Sequence, residues 1–107
     1  MPPDVNAFVT DYNQARLNKD MVTMANLISD RFLYDGVTKQ MALKFLSEIS
    51  SYTAEAKIII TKFETEGDEV KIDVLLKDKY FEAPFMTGSK LIKENGNWKW
   101  YGNQVPK

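Results

Sequence analysis

The hydrophobic pattern of this chain changes period once, and that switch restricts the fold more than any other feature. Up to about residue 50, apolar side chains recur every three or four positions, the spacing that lines one face of a helix. From Tyr52 onward they alternate, the spacing of a half-buried strand. Helices therefore come first and strands follow without interleaving. That order predicts an α+β domain in which three N-terminal helices pack on a curved antiparallel sheet. Strands joined by short turns need no crossover helices.

Residues 4–18 form the first predicted helix, with Val5, Phe8, Val9, Tyr12 and Arg16 on one stripe and Asp4 as N-cap. Asp20 caps a second helix over 20–29, with Met21, Met24, Leu27 and Ile28 inward. Arg31–Asp35 reads as a short strand entering a turn at Asp35-Gly36. Thr38 can cap a third helix over 38–50, whose inner face carries Met41, Ala42, Phe45, Leu46 and Ile49. The remaining strands are predicted at 52–63, 69–77, 85–93 and 98–103. Ala54, Ala56, Ile58 and Ile60 share one face of the first of these; Val70, Ile72, Val74 and Leu76 share one face of the next. Thr65–Asp68 and Glu94–Asn97 are the hairpin turns, the second built on Asn-Gly, which readily takes positive φ.

Composition removes whole classes of function. At 107 residues the chain fits one domain and can bury a core without staples. Its 14 basic and 15 acidic residues lack the basic excess that neutralises phosphates, so nucleic acid is not an expected partner. With no cysteine and no histidine, the chain can build no disulfide, no Ser-His-Asp triad and no Cys/His zinc site. No metal or cofactor is expected, and any acid–base chemistry falls to Asp, Glu, Tyr or Lys. No apolar run approaches the ~20 residues that span a bilayer. No export signal is visible, and Met1 suits either a native start or an initiator added after a signal was removed, which leaves the compartment open.

Three local patterns carry a family resemblance. Asp11-Tyr12 lies eight residues before Asp20, in Leu17-Asn18-Lys19-Asp20. Leu33-Tyr34-Asp35-Gly36 sits between the second and third helices, and Glu94-Asn95-Gly96-Asn97-Trp98-Lys99-Trp100 makes the last hairpin. In order and spacing these resemble the nuclear-transport-factor-2-like superfamily, which includes the ketosteroid isomerases and the SnoaL-like proteins. The resemblance implies a cystatin-like cone: the sheet curls around the helices and leaves an apolar pocket at its open end. It also implies homodimerisation through the sheet, a trend that the lysines and glutamates of the outer positions oppose.

Within that cone the resemblance places Tyr12 at an oxyanion-donor position and Asp35 near a general-base position. An apolar pocket raises carboxylate basicity, and a phenol can donate to a developing enolate. Lys90 stands where the isomerases carry a second acid, and no acid occurs between Pro84 and Lys93, so one of three catalytic groups is missing. Asp35 reads equally as a turn residue and Tyr12 as a packed core residue. The expected pocket is lined by Phe8, Tyr12, Arg16, Phe32, Tyr34, Phe45, Met86 and Trp100. The expectation is a non-catalytic small-molecule-binding or accessory domain. The alternatives are a proton-transfer enzyme on a hydrophobic substrate, and a structural dimerisation module whose own aromatics close the cone.

Overall fold

A computed structural model describes residues 2–53 and 55–107; Met1 and Ala54, both named above, lie outside the described residues. Helix α1 spans Pro3–Leu17, α2 spans Met21–Asn26 and α3 spans Lys39–Thr53. The strands are β1 (Ile28–Tyr34), β2 (Val37–Thr38), β3 (Lys57–Glu66), β4 (Glu69–Lys77), β5 (Glu82–Glu94) and β6 (Asn97–Gly102). They form one curved, unclosed sheet in the order β2-β1-β6-β5-β4-β3, and the helices complete an α+β cone. Neighbouring strands run antiparallel except at the junction of β1 with β6, which is parallel. Bulges interrupt the β3–β4 and β4–β5 ladders, and Gly88 sits in mid-strand at φ +64°. Such extra residues bend and twist a ladder locally.

Element boundaries moved where tertiary pairing outweighed local signals. α2 stops at Asn26, because Ile28 is taken into β1 and the Leu27 carbonyl accepts from the Trp100 N–H at 2.8 Å. A six-residue helix cannot hold itself against a sheet that offers a full ladder. α3 runs on through Tyr52, and β3 begins only at Lys57. At the first helix Pro2 is the N-cap and no side chain caps it, since Pro3 arrives with its φ already helical. Asp4 sits in the first turn and pairs with Lys93 at 3.3 Å. Asp20 does cap α2, accepting from the Thr23 N–H at 3.1 Å.

The core lies between α1 and the concave face of the sheet. Val5, Phe8, Tyr12 and Ala15 of α1 meet Ile58, Val70, Ile72, Val74, Leu91 and Trp100, all buried. α1 also binds the free edge of β3. The Asn13 carboxamide accepts from the Ile58 N–H (2.8 Å) and donates to the Ile58 carbonyl (3.3 Å); one turn on, Arg16 Nη1 donates to the Ala56 carbonyl (3.1 Å). An unpaired strand edge is thereby covered for its first few residues.

Candidate functional site

Trp100 organises the interior. It is fully buried, its indole N–H donates to Ser89 Oγ at 2.7 Å, and its ring receives three neighbours edge-on. Phe8, Tyr12 and Phe85 stand 5.8, 5.3 and 6.0 Å from it, centroid to centroid. Such T-shaped contacts fix ring orientation as well as burying area. On the side of Trp100 away from Phe8, the cone does not fill.

The result is a cavity of about 520 Å³, open at one side. Its size falls within the usual range for small-molecule pockets. Tyr12 and Trp100 are the most buried of its lining residues. Ile28 and Phe32 of β1 and Ala42 and Leu46 of α3 form the walls, and Met41, Phe45, Pro84, Phe85 and Met86 surround the mouth. Among the described residues, no charged side chain touches this space. Met41 and Phe45 are each 53% exposed, so the large side chains expected to close a purely structural cone leave it open. Where β6 has ended, Tyr34 secures the rim: its hydroxyl accepts from the Thr87 N–H (2.9 Å) and donates to the Thr87 carbonyl (3.2 Å).

Tyr12 carries a polar anomaly in the lining. Its hydroxyl is buried and has no hydrogen-bond partner among the described residues. Burial pushes the phenol well above its ordinary pKa of 10.0, and the nearby Arg16 charge only partly opposes this. The group therefore stays protonated and able to donate. Burial likewise pulls the Arg16 guanidinium down, with Tyr12 acting in the opposite sense.

Of the residues expected in the pocket, Tyr12, Phe32, Tyr34, Phe45, Met86 and Trp100 line the cavity. Phe8 does not, because Trp100 stands between it and the open space; nor does Arg16, whose helical position carries it on to the Ala56 carbonyl. Asp35 and Tyr12 are not brought together. Asp35 is exposed at φ +47° in the β1–β2 turn, where its carboxylate accepts from the Asn103 amide at 2.9 Å. Its own N–H donates to Asn103 Oδ1, and the Gly36 N–H donates to the Val105 carbonyl. A Cβ on Gly36 would strike the Pro106 carbonyl oxygen at 2.7 Å. Asp-Gly is therefore the seat for the C-terminal segment.

The expected pocket omitted Ile28, Val37, Met41, Ala42, Leu46, Pro84 and Phe85, all of which line the cavity. Met41 had a signal: it is four positions before Phe45 on a helix, hence on the same face. Phe85 was legible only as an aromatic that could close the cone; its inward position follows from the bulge that gives Leu75 and Val74 the partners Pro84 and Met86.

No protein-family model matches the sequence, and no curated protein matches it either. Solved structures do match in shape. The Bdellovibrio bacteriovorus protein Bd1075 superposes with a TM-score of 0.69 at 14% identity, over 92% of this chain and 37% of that one. An NTF-2 like protein of unknown function from Silicibacter pomeroyi gives 0.67 at 13% identity, over 92% and 88%. A Nostoc punctiforme protein of unknown function with a cystatin-like fold gives 0.61 at 10% identity, over 92% and 84%. The helices and the curved sheet are thus arranged as in those proteins, and the fold of this chain is the nuclear-transport-factor-2-like cone.

Proposed function

We propose that this domain binds a small, uncharged, largely apolar molecule in the cone and holds it by one hydrogen bond from the Tyr12 hydroxyl. The observation that carries the reading is that hydroxyl: buried, protonated, without a partner among the described residues, on a side chain that lines an apolar cavity. A buried polar group left unpaired costs stability that a ligand acceptor would return. A ligand with one carbonyl, ether or hydroxyl oxygen at its inner end satisfies the site; a carboxylate or ammonium finds no counter-charge in the lining. Proton-transfer catalysis has little support, because among the described residues the lining offers no acid or base besides the phenols of Tyr12, whose pKa is raised, and of Tyr34, whose hydroxyl is engaged by the Thr87 backbone.

A matched pair of probes tests this. 2-Acetylnaphthalene and 2-ethylnaphthalene have similar bulk, and only the first has an acceptor. Both should quench tryptophan fluorescence, with the ketone bound about five- to tenfold more tightly, the worth of one net hydrogen bond. Tyr12→Phe should abolish that preference and leave the hydrocarbon's affinity alone. Failure of both probes to bind would sink the proposal.

A further inference from the structure

The convex face of the sheet is divided into two unlike halves. Toward the β3–β4 turn it carries charged residues: Lys90 Nζ lies 3.1 Å from Glu69 and 3.7 Å from Glu66, and Lys71 pairs in register with Glu64 and Lys90. Toward the β4–β5 turn an apolar row crosses three strands, since Ile59 is in register with Leu75 and Leu75 with Pro84. Ile59 is 41% exposed, and Pro84 both faces solvent and touches the cavity. The row thus meets the mouth of the cone.

Beyond it, the β4–β5 turn presents two aromatics, Tyr80 at 81% and Phe81 at 38% exposure. The turn is built to hold them out. Asp78 Oδ1 accepts from the N–H groups of Tyr80 (2.7 Å) and Phe81 (3.0 Å), and the Asp78 N–H donates to the Phe81 carbonyl (3.0 Å). An ordered turn that exposes two aromatic side chains does nothing for the core.

The charges at this end are not balanced in what they show to solvent. Lys57, Lys62, Lys77 and Lys79 are exposed. Among the described acids of this end Glu55 and Glu82 are exposed, and Glu82 lies 3.9 Å from Lys77; Glu64, the next outward residue after Lys62, is exposed too but stands in register with Lys71. Asp73 and Asp78 are half-buried, their carboxylates accepting backbone N–H groups. The whole chain carries a net charge of −1, so this surplus is local.

We infer that this end of the cone is a docking surface for an anionic lipid bilayer, with Tyr80 and Phe81 entering the headgroup layer, the Ile59–Leu75–Pro84 row following, and the lysines facing lipid phosphate. Aromatic rings with a polar tip favour that interface, and lysines near an anionic surface add attraction that salt screens. A second copy of this chain fits less well. In a two-fold contact centred on the apolar row, Lys57, Lys62 and Lys77 of both copies would crowd one interface, offset only in part by Glu82 and Asp73, which stand in register with Lys77 and Lys62. The docked orientation sets the mouth of the cavity against the bilayer. The inference rests on the surface and not on what the cavity binds.

Co-sedimentation of the 107-residue protein with vesicles tests it. Vesicles of phosphatidylcholine with phosphatidylglycerol should retain the protein, and vesicles of phosphatidylcholine alone should retain much less. The double variant Tyr80→Ser/Phe81→Ser should lose at least about tenfold in partition, and Lys79→Ala about fivefold, the worth of one lysine at a charged surface. All three proteins should melt alike and take up 2-ethylnaphthalene alike in solution. Equal partition of wild type and double variant, or none at all, would overturn the inference. So would a dimer in size-exclusion chromatography that the double variant turns to monomer, since the surface would then belong to a second copy.

Discussion

Helices α1 and α3 are both 15 residues long and lie against the same sheet, yet they do opposite things. α1 seals. It buries Val5, Phe8, Tyr12 and Ala15, and it ties Asn13 and Arg16 to the backbone of β3. α3 buries Ala42, Leu46 and Ile49 but leaves Met41 and Phe45 half in solvent across from Pro84 and Phe85. The comparison teaches that a cone keeps a cavity not by lacking apolar side chains but by holding one helix off the opposite strand. Stability is concentrated at the sealed side and binding surface at the open one.

If that division holds, substitutions should separate cleanly between the two sides. Trp100→Ala should cost most, about 3–5 kcal/mol in chemical denaturation, because it removes the ring that Phe8, Tyr12 and Phe85 pack on and leaves Ser89 without its donor. Asn13→Ala should cost about 1–3 kcal/mol, since it strands the N–H and the carbonyl of Ile58 at a partly buried edge. On the open side, Phe45→Ser should change stability by less than about 1 kcal/mol while weakening probe uptake. A loss at Phe45 as large as the one at Asn13 would show that α3 seals the cone too.

Tyr12 belongs to both sides, and its titration sharpens the comparison. The unfolded chain releases this phenolic proton near the ordinary pKa of 10.0, while the folded chain retains it above that value. Above about pH 10 the unfolded state therefore binds fewer protons, and stability falls as pH rises. Tyr12→Phe should remove that part of the alkaline loss. At neutral pH it should leave the ligand-free protein as stable or about 1 kcal/mol more so, because an unpaired hydroxyl disappears. A clear loss at neutral pH would mean that the hydroxyl has a partner in the free protein.

The sequence was most informative where local and global preferences agree. The helical stripe of α1, the alternation of β4 and the Asn95-Gly96 hairpin turn all form as their residues dictate. It was least informative where a distant segment decides. Ile28 extends the pattern of α2 but pairs opposite Trp100, a partner far along the chain. Phe85 turns inward because of a bulge, and Asp35 turns outward because Asn103 and Val105 meet its turn. Six pocket residues were legible because periodicity gives the inner face of an element. For Asp35 it is the turn reading that the structure takes up, while the segment that packs on that turn is not visible in an Asp-Gly pair.

The junction of β1 with β6 has a consequence for how the cone is made. Every other ladder joins strands that are neighbours in sequence, whereas this one aligns Ile28 with Trp100 and Leu33 with Gly102. Closing so long a loop is slow, and only contacts made after closure reward it. The meander of β3, β4 and β5 can assemble early, while α1, α2 and β1 wait for β6 to arrive. A Cβ at Gly102, which has φ +79°, would run into the Leu33 carbonyl, so that residue acts as a gate on the final step. Gly102→Ala should slow refolding more than it speeds unfolding if the junction has formed at the transition state, and the reverse if it closes afterwards.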